Sequence, residues 1–291
     1  MRGSWNDLAR RLCHFLPVHM FEKNNSLVKQ ELLSRRQLLT RGIKAGAALG
    51  LGAMAFGAWS DTSPLVSKAM AGVPTGALDF ATVEPCVLTC QATVGPCYYS
   101  TGLTRRDITE STANGKVGLP THLAFRVVNV DTCEPIQGAT IDIWHTDNNG
   151  IYSAPISTFC NGNDPAVQQQ RFARGIQPTD ANGWAYFDTF YPGWYASRTT
   201  HIHTTIRIGT SSMVTTQFFF VDRVSEFIYR SHPNYSQRPN RDTTNLTDNV
   251  IGGQGVARTL PYLFSTRLVD NKYLQAVKII GIRTTPTACN A

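Results

Sequence analysis

A chain of 291 residues that is 42% hydrophobic and only 16% charged is long enough to bury a sizeable core, which excludes a disordered or fibrous protein. Its formal charge of +7 does not imply a polyanionic partner, because residues 1–71 hold ten Lys or Arg against four Asp or Glu and so carry +6 of that total. Nucleic acid is therefore not an expected partner.

Within the first 71 residues, Ser34-Arg35-Arg36-Gln37-Leu38-Leu39 precedes an uncharged stretch, residues 45–59, rich in Ala, Gly and Leu. This is the layout of a twin-arginine export signal. The stretch is glycine-rich and shorter than the roughly 20 apolar residues of a membrane-spanning helix. Ala69-Met70-Ala71 supplies the small residues that a signal peptidase reads. Residues 1–71 are thus expected to be a leader handled by the twin-arginine translocase. The mature protein then begins near Gly72 and is exported, periplasmic or secreted. The alternative is an uncleaved membrane anchor or a mobile arm. Removing the leader discards Cys13 and leaves Cys86, Cys90, Cys97, Cys133, Cys160 and Cys289. An even set in an exported protein favours disulfides, with fifteen pairings open. A zinc site at Cys86 and Cys90 is the competing reading, although no second cysteine or histidine pair of the usual spacing stands nearby.

Residues 72–119 are rich in Gly, Thr and Pro without helical period and read as an N-terminal arm lying over a core. From Pro120 onward the texture changes. Residues 123–130, 139–144 and 184–187 alternate and carry β-branched and aromatic side chains, as half-buried strands do. Asp147-Asn148-Asn149-Gly150 and Asp180-Ala181-Asn182-Gly183 mark turns, and residues 202–208, 214–221 and 274–282 continue the strand pattern. The expected fold class is all-β, with residues 120–291 forming a β-sandwich of mostly antiparallel strands.

His201-Ile202-His203 is the sharpest chemical feature. Alternate strand residues share a face, so the two imidazoles can occupy adjacent positions on one metal, although an isolated pair of this kind is more often solvated or hydrogen-bonded. Tyr195 ends an aromatic turn, Tyr191-Pro192-Gly193-Trp194-Tyr195, six residues before His201, and Tyr152 follows the turn at Gly150. A phenol ionises near pH 10, so a phenolate ligand at neutral pH needs a hard, strongly acidic cation such as Fe(III). A tyrosine packed in a turn, its hydroxyl bonded to backbone, is the plainer reading of either residue alone.

Taken together, Gly95-Pro96-Cys97-Tyr98, Ile143-Trp144-His145, Gly150-Ile151-Tyr152-Ser153, Thr179-Asp180, Gly183, Tyr191-Pro192-Gly193-Trp194-Tyr195, Arg198, His201-Ile202-His203 and Thr216-Gln217 resemble the intradiol ring-cleavage dioxygenases. The likeness runs from about Cys86 to Asp248. It is strongest to the exported, single-domain branch similar to the protocatechuate 3,4-dioxygenase β subunit, which Arg241-Asp242-Thr243 also resembles. Cys97 departs from the pattern, since the family carries an aromatic residue after Gly-Pro, and several insertions that shape the pocket in cytoplasmic relatives are missing.

The resemblance implies an Fe(III) cofactor with Tyr152 and His201 as equatorial ligands and Tyr195 and His203 as axial ones. It implies that Tyr195 leaves the metal and takes up a proton, that Arg198 stabilises negative charge developing on the substrate, and that Gln217 lends a supporting hydrogen bond. The substrates would be a small aromatic diol and O2, cleaved between the two hydroxylated carbons to a muconate-type product. Relatives pair through their N-terminal arms, so a homodimer is a further implication. Trp144, Trp194 and Tyr99 are candidates for the pocket lining, or plain core. Two other classes remain open: an exported β-sandwich binding module that has lost catalysis, and a zinc hydrolase using His201, His203 and Asp147 or Asp180.

Overall fold

The computed structural model describes residues 86–110, 118–252, 259–285 and 289. The expected leader lies outside the described residues. Among the described residues, eight strands form two four-stranded sheets. They are β1 (Pro120–Asn129), β2 (Thr140–Trp144), β3 (Arg174–Pro178), β4 (Trp184–Phe190), β5 (His201–Ile208), β6 (Ser211–Phe219), β7 (Ser265–Val269) and β8 (Tyr273–Ile282). One sheet runs β4-β1-β8-β7 and the other β3-β2-β5-β6. Every neighbouring pair is antiparallel except β1 with β8. The chain is therefore an all-β sandwich, as its alternating segments predict.

Alternation decides the core. Leu123, Phe125 and Val127 of β1 and Ile141 and Ile143 of β2 are buried in one cluster with Ile202, Ile206 and Phe218. Phe125 meets Phe187 of its own sheet edge-on at 6.0 Å and Phe218 of the facing sheet at 6.2 Å. Among the described residues, two strands and five helical segments, the longest of them Asp222–Ser231, were not among the predicted elements. In β3 the sequence Arg-Gly-Ile-Gln-Pro breaks the alternation, yet Gly175 is required there because a Cβ would meet Ile108 Cγ2 at 2.6 Å. β7 is five residues, only partly buried, at the edge of its sheet. The helix Asp222–Ser231 buries Ser225, Ile228 and Tyr229, a narrow stripe of mixed polarity.

Residues 86–110 contribute no regular strand. They touch the sandwich through single bridges, Leu88 to Gly281, Thr104 to Ile176 and Asp107 to Asp188. Disulfides tie this segment down at Cys86–Cys133, Cys90–Cys289 and Cys97–Cys160, spanning 47, 199 and 63 residues. Those pairings close the question that the cysteine count leaves open, and Cys86 and Cys90 form no zinc site with each other.

Candidate metal centre

His201 and His203 open β5 on one face, while Ile202 between them enters the core. Opposite His203 stand Trp144 on β2 and Gln217 on β6. The indole of Trp144 stacks on the His203 ring, 4.9 Å away and inclined by 7°, which fixes the plane of that imidazole. His201 is oriented differently. Its Nδ1 lies 2.6 Å from the Thr199 carbonyl oxygen, so Nδ1 carries the proton and Nε2 is left with a bare lone pair.

The two tyrosines come from loops that are tied to each other. Asp147 caps the turn after β2, its Oδ1 accepting from Asn149 N and Ile151 N, and Gly150 takes φ +83°. Gly193 N donates to Asp147 O at 2.7 Å, and Thr146 Oγ1 donates to Gly193 O at 2.7 Å. A Cβ on Gly193 would sit 2.4 Å from Asn148 O. The approach of the loop bearing Tyr195 to the loop bearing Tyr152 therefore depends on glycine.

His201 Nε2 is the hub of the cluster: Tyr152 Oη lies 3.3 Å from it, Tyr195 Oη 3.2 Å and His203 Nε2 3.2 Å. Donors bound at about 2.0–2.1 Å to one cation stand roughly 2.9–3.4 Å apart when adjacent, so these spacings fit a single ion between them. Burial decides the protonation of all four groups without a cation. It drives the Tyr152 hydroxyl well above its ordinary pKa, with Tyr195 adding to the rise, and it raises Tyr195 too. Burial, then the charge of Arg198, lowers His201 to about 3, and burial with His201 beside it holds His203 well below its ordinary value. Neutral imidazoles are ready ligands, whereas the phenols need a strong Lewis acid to release their protons.

Arg198 stands beside the cluster with three partners. Its Nε donates to Asp248 Oδ2 at 2.9 Å, its Nη2 to Gln217 Oε1, and its Nη1 approaches Tyr195 Oη at 3.4 Å. Gln217 Nε2 in turn donates to the Thr93 carbonyl at 2.8 Å. Gln217 thus holds Arg198, and its hydrogen bonds among the described residues do not reach the four ring donors. Asp248 and Gln217 are both buried, so the guanidinium is fixed from two sides.

A cleft of about 190 Å³ opens onto the cluster, lined by buried Tyr152, partly buried Tyr195, Cys97, Cys160 and exposed Phe159 among others. Trp144, Trp194 and Tyr99 are not among its lining residues. Trp144 is packed behind His203, Trp194 lies under the Arg238 guanidinium at 4.6 Å, and Tyr99 lies under that of Arg171 at 5.0 Å. The carboxylates of the zinc-hydrolase reading are committed to turns, Asp147 as described and Asp180 to Asn182 N and Trp184 N. Nor is His145 a ligand candidate: it bonds Thr146 O and Thr189 Oγ1 within the core.

Sequence reasoning missed Asp248, Arg174, Phe159 and the Cys97–Cys160 pair. Arg174 is wholly buried over the Tyr152 ring, its centre 6.0 Å from the ring centroid, with Nη2 donating to the carbonyls of Cys97 and Ser153. Its flanking Phe172-Ala173 and Gly175 reveal nothing of this.

The model of the Dioxygenase family, Dioxygenase_C, matches residues 93–239. Among solved structures, an intradiol ring-cleavage dioxygenase from Tetranychus urticae is 27% identical with a TM-score of 0.59, covering 69% of this chain and 98% of its own. A second dioxygenase crystal structure is 26% identical with a TM-score of 0.59, covering 69% of this chain and 97% of its own. No curated protein matches the sequence.

Proposed function

The chain belongs to the intradiol ring-cleavage dioxygenases, and from that premise we propose that it is an exported ferric enzyme that opens catechol-type rings between the two hydroxylated carbons. Both atoms of O2 enter the product, so a catechol becomes a muconic acid with nothing else consumed. The observation that carries the reading is the convergence of Tyr152 Oη, Tyr195 Oη and His203 Nε2 on His201 Nε2 within 3.3 Å. Tyr152, Tyr195, His201 and His203 would hold the metal. Bound there, Fe(III) would supply the Lewis acidity that makes phenolates of the tyrosines and draws electron density from a catecholate.

The remaining work falls to the protein. Tyr195, which lines the cleft, would as a phenolate accept at Oη a proton from the entering diol. Arg198 Nη1, 3.4 Å from that oxygen, favours negative charge developing beside it. Because Asp248 and Gln217 fix Arg198, that positive charge is in place before substrate arrives and costs no reorganisation. Trp144 keeps the His203 plane, and the backbone bond from Tyr152 N to Cys160 O, 3.1 Å, holds the other loop.

Export by the twin-arginine route belongs to this reading, supported by the Arg35-Arg36 leader pattern and the disulfide-tied body. The deciding experiment loads the purified protein with iron, records its visible spectrum and adds catechol and protocatechuate under air. A broad tyrosinate-to-iron band that is lost in Tyr152→Phe and Tyr195→Phe, with ultraviolet growth of a muconate, is the expected result. A colourless protein that binds no iron would overturn the reading in favour of a binding module.

A further inference from the structure

Phe159 is the most exposed of the large hydrophobic side chains among the described residues, at 71%, and it is also a lining residue of the cleft. Its ring meets Tyr195 edge-on with centroids 6.4 Å apart. Lone exposed aromatics are common on protein surfaces, but one set at the mouth of a cleft and touching a site tyrosine is placed to meet a ligand. The turn that carries it is held with unusual completeness. Cys160 is bridged to Cys97, Cys160 N donates to Ser157 O at 2.8 Å, Gly162 N to Thr158 O at 2.7 Å, and Asn161 Nδ2 to Ala154 O at 2.8 Å.

Charge around the cleft is as informative. Gly150 and Ala196 complete the lining with the residues already named, and no Lys, Arg or His is among them. The nearby guanidinium groups already have partners: Arg198 is paired with Asp248 and Gln217 and approaches the lining only at Tyr195 Oη, 3.4 Å away, Arg174 holds the carbonyls of Cys97 and Ser153, and Arg238 those of Asn148 and Trp194. A carboxylate on the substrate ring would find no charged partner among the lining residues and would lose part of its hydration against them.

We propose that the Cys97–Cys160 bridge fixes Phe159 as an apolar wall of the substrate cleft, and that the wall selects catechols bearing hydrogen or alkyl groups over catechols bearing a ring carboxylate. The inference rests on the ring-cleaving reading of the site. Substrate selection then comes from a disulfide-anchored turn, with the ligand tyrosines common to any catechol.

The test compares 4-methylcatechol with protocatechuate on the iron-loaded protein, by kcat/KM under air and by calorimetric binding without oxygen. A preference for 4-methylcatechol on the order of 100-fold is expected, the cost of leaving a charge unpaired in an apolar cleft. Phe159→Ala should weaken binding of 4-methylcatechol and raise its KM roughly tenfold while kcat changes little, as befits loss of an aromatic wall. Phe159→Arg should narrow the preference by at least a similar factor. Because Phe159 is exposed, neither change threatens folding, and unchanged thermal unfolding will confirm it. Cys97→Ser combined with Cys160→Ser should reproduce the KM effect of Phe159→Ala. Equal or better cleavage of protocatechuate, or Phe159→Ala kinetics identical to wild type, would overturn the wall while leaving ring cleavage intact. Failure to cleave either diol would overturn the functional reading itself and this proposal with it.

Discussion

Replacing Asp248 with Asn preserves shape and removes one charge, and the structure sets what that should cost. The carboxylate is buried and accepts four hydrogen bonds, from Arg198 Nε at 2.9 Å, Thr199 N at 2.8 Å, Val250 N at 2.8 Å and Ile251 N at 3.2 Å. An amide can accept on one side only, so its NH2 must face either the Arg198 and Thr199 donors or the Val250 and Ile251 donors. Two N–H groups, one of them fully buried, lose their acceptor in either orientation, and Arg198, whose side chain is 11% exposed, loses its counter-charge. Breaking a buried pair from one side typically costs about 3–5 kcal/mol. With a urea m-value of about 2.5 kcal/mol per molar, the midpoint should fall by roughly 1–2 M, read by tryptophan fluorescence with the disulfides intact. The pH dependence has a definite sign. Burial alone would raise the Asp248 pKa, but Arg198 and the donors outweigh it and hold the group below its ordinary 3.8. Its stabilisation is therefore fully present above that value and disappears as pH falls through the lower, folded-state value. Wild type should show this acid limb below about pH 4, and Asp248→Asn should lack it. A midpoint within about 0.3 M of wild type, at unchanged m, would refute the assignment of Asp248 as the anchor of Arg198.

Gly193→Ala should destabilise the fold by about 2–4 kcal/mol in urea and abolish the tyrosinate band, because its Cβ would displace Asn148 O from 2.4 Å and push apart the loops bearing Tyr152 and Tyr195. Removing the Cys90–Cys289 bridge by paired serine substitution should lower stability by about 5 kcal/mol in the chain-entropy account, since it closes 199 residues; a shift below about 1 kcal/mol would mean the unfolded chain is not restrained by it. Arg35→Lys with Arg36→Lys should retain the unprocessed chain inside the producing cell, whereas the unaltered protein should appear outside the cytoplasm with its N-terminus near Gly72, as checked by fractionation and N-terminal sequencing.

The strands at residues 123–130 and 202–208 were legible from their β-branched and aromatic residues and from the large apolar side chains at alternate positions that enter the core, Leu123, Phe125 and Val127 in one and Ile202 and Ile206 in the other, although most residues on both faces are buried. β3 was hidden by Gly175, which the arm's approach through Ile108 requires, and by Pro178 at its end. Within the site, the HxH pair and the two tyrosines could be recognised because each sits on a locally readable feature, a strand or a glycine turn. Asp248 could not, for it reaches Arg198 from a loop 50 residues away in sequence. Arg174 was equally opaque: a guanidinium buried by carbonyls from residues 77 and 21 positions distant has no local sequence signature. Of the two readings the sequence left open for Trp144 and Trp194, pocket lining or plain core, the structure shows packing, Trp144 against the His203 ring and Trp194 under Arg238.

Cys97 links the departures in the sequence to the shape of the cleft. Each of the three bridges begins between residues 86 and 97, in a segment whose contacts with the sheets are isolated pairs and not ladders. A segment with so few repeating backbone bonds has little to offset the entropy of lying flat on the sandwich, and covalent links supply what the ladder lacks. At Cys97 the same link also joins the turn that carries Phe159, and the Cys97 carbonyl accepts from the Arg174 guanidinium that lies over Tyr152. Replacing the family's aromatic residue with cysteine at this position therefore exchanges a side chain that would fill space by packing for a bond that sets where another aromatic stands. A change in substrate preference in this chain should accordingly track substitutions in residues 157–162, which move Phe159, more closely than changes among the four ring donors, which any catechol must meet alike.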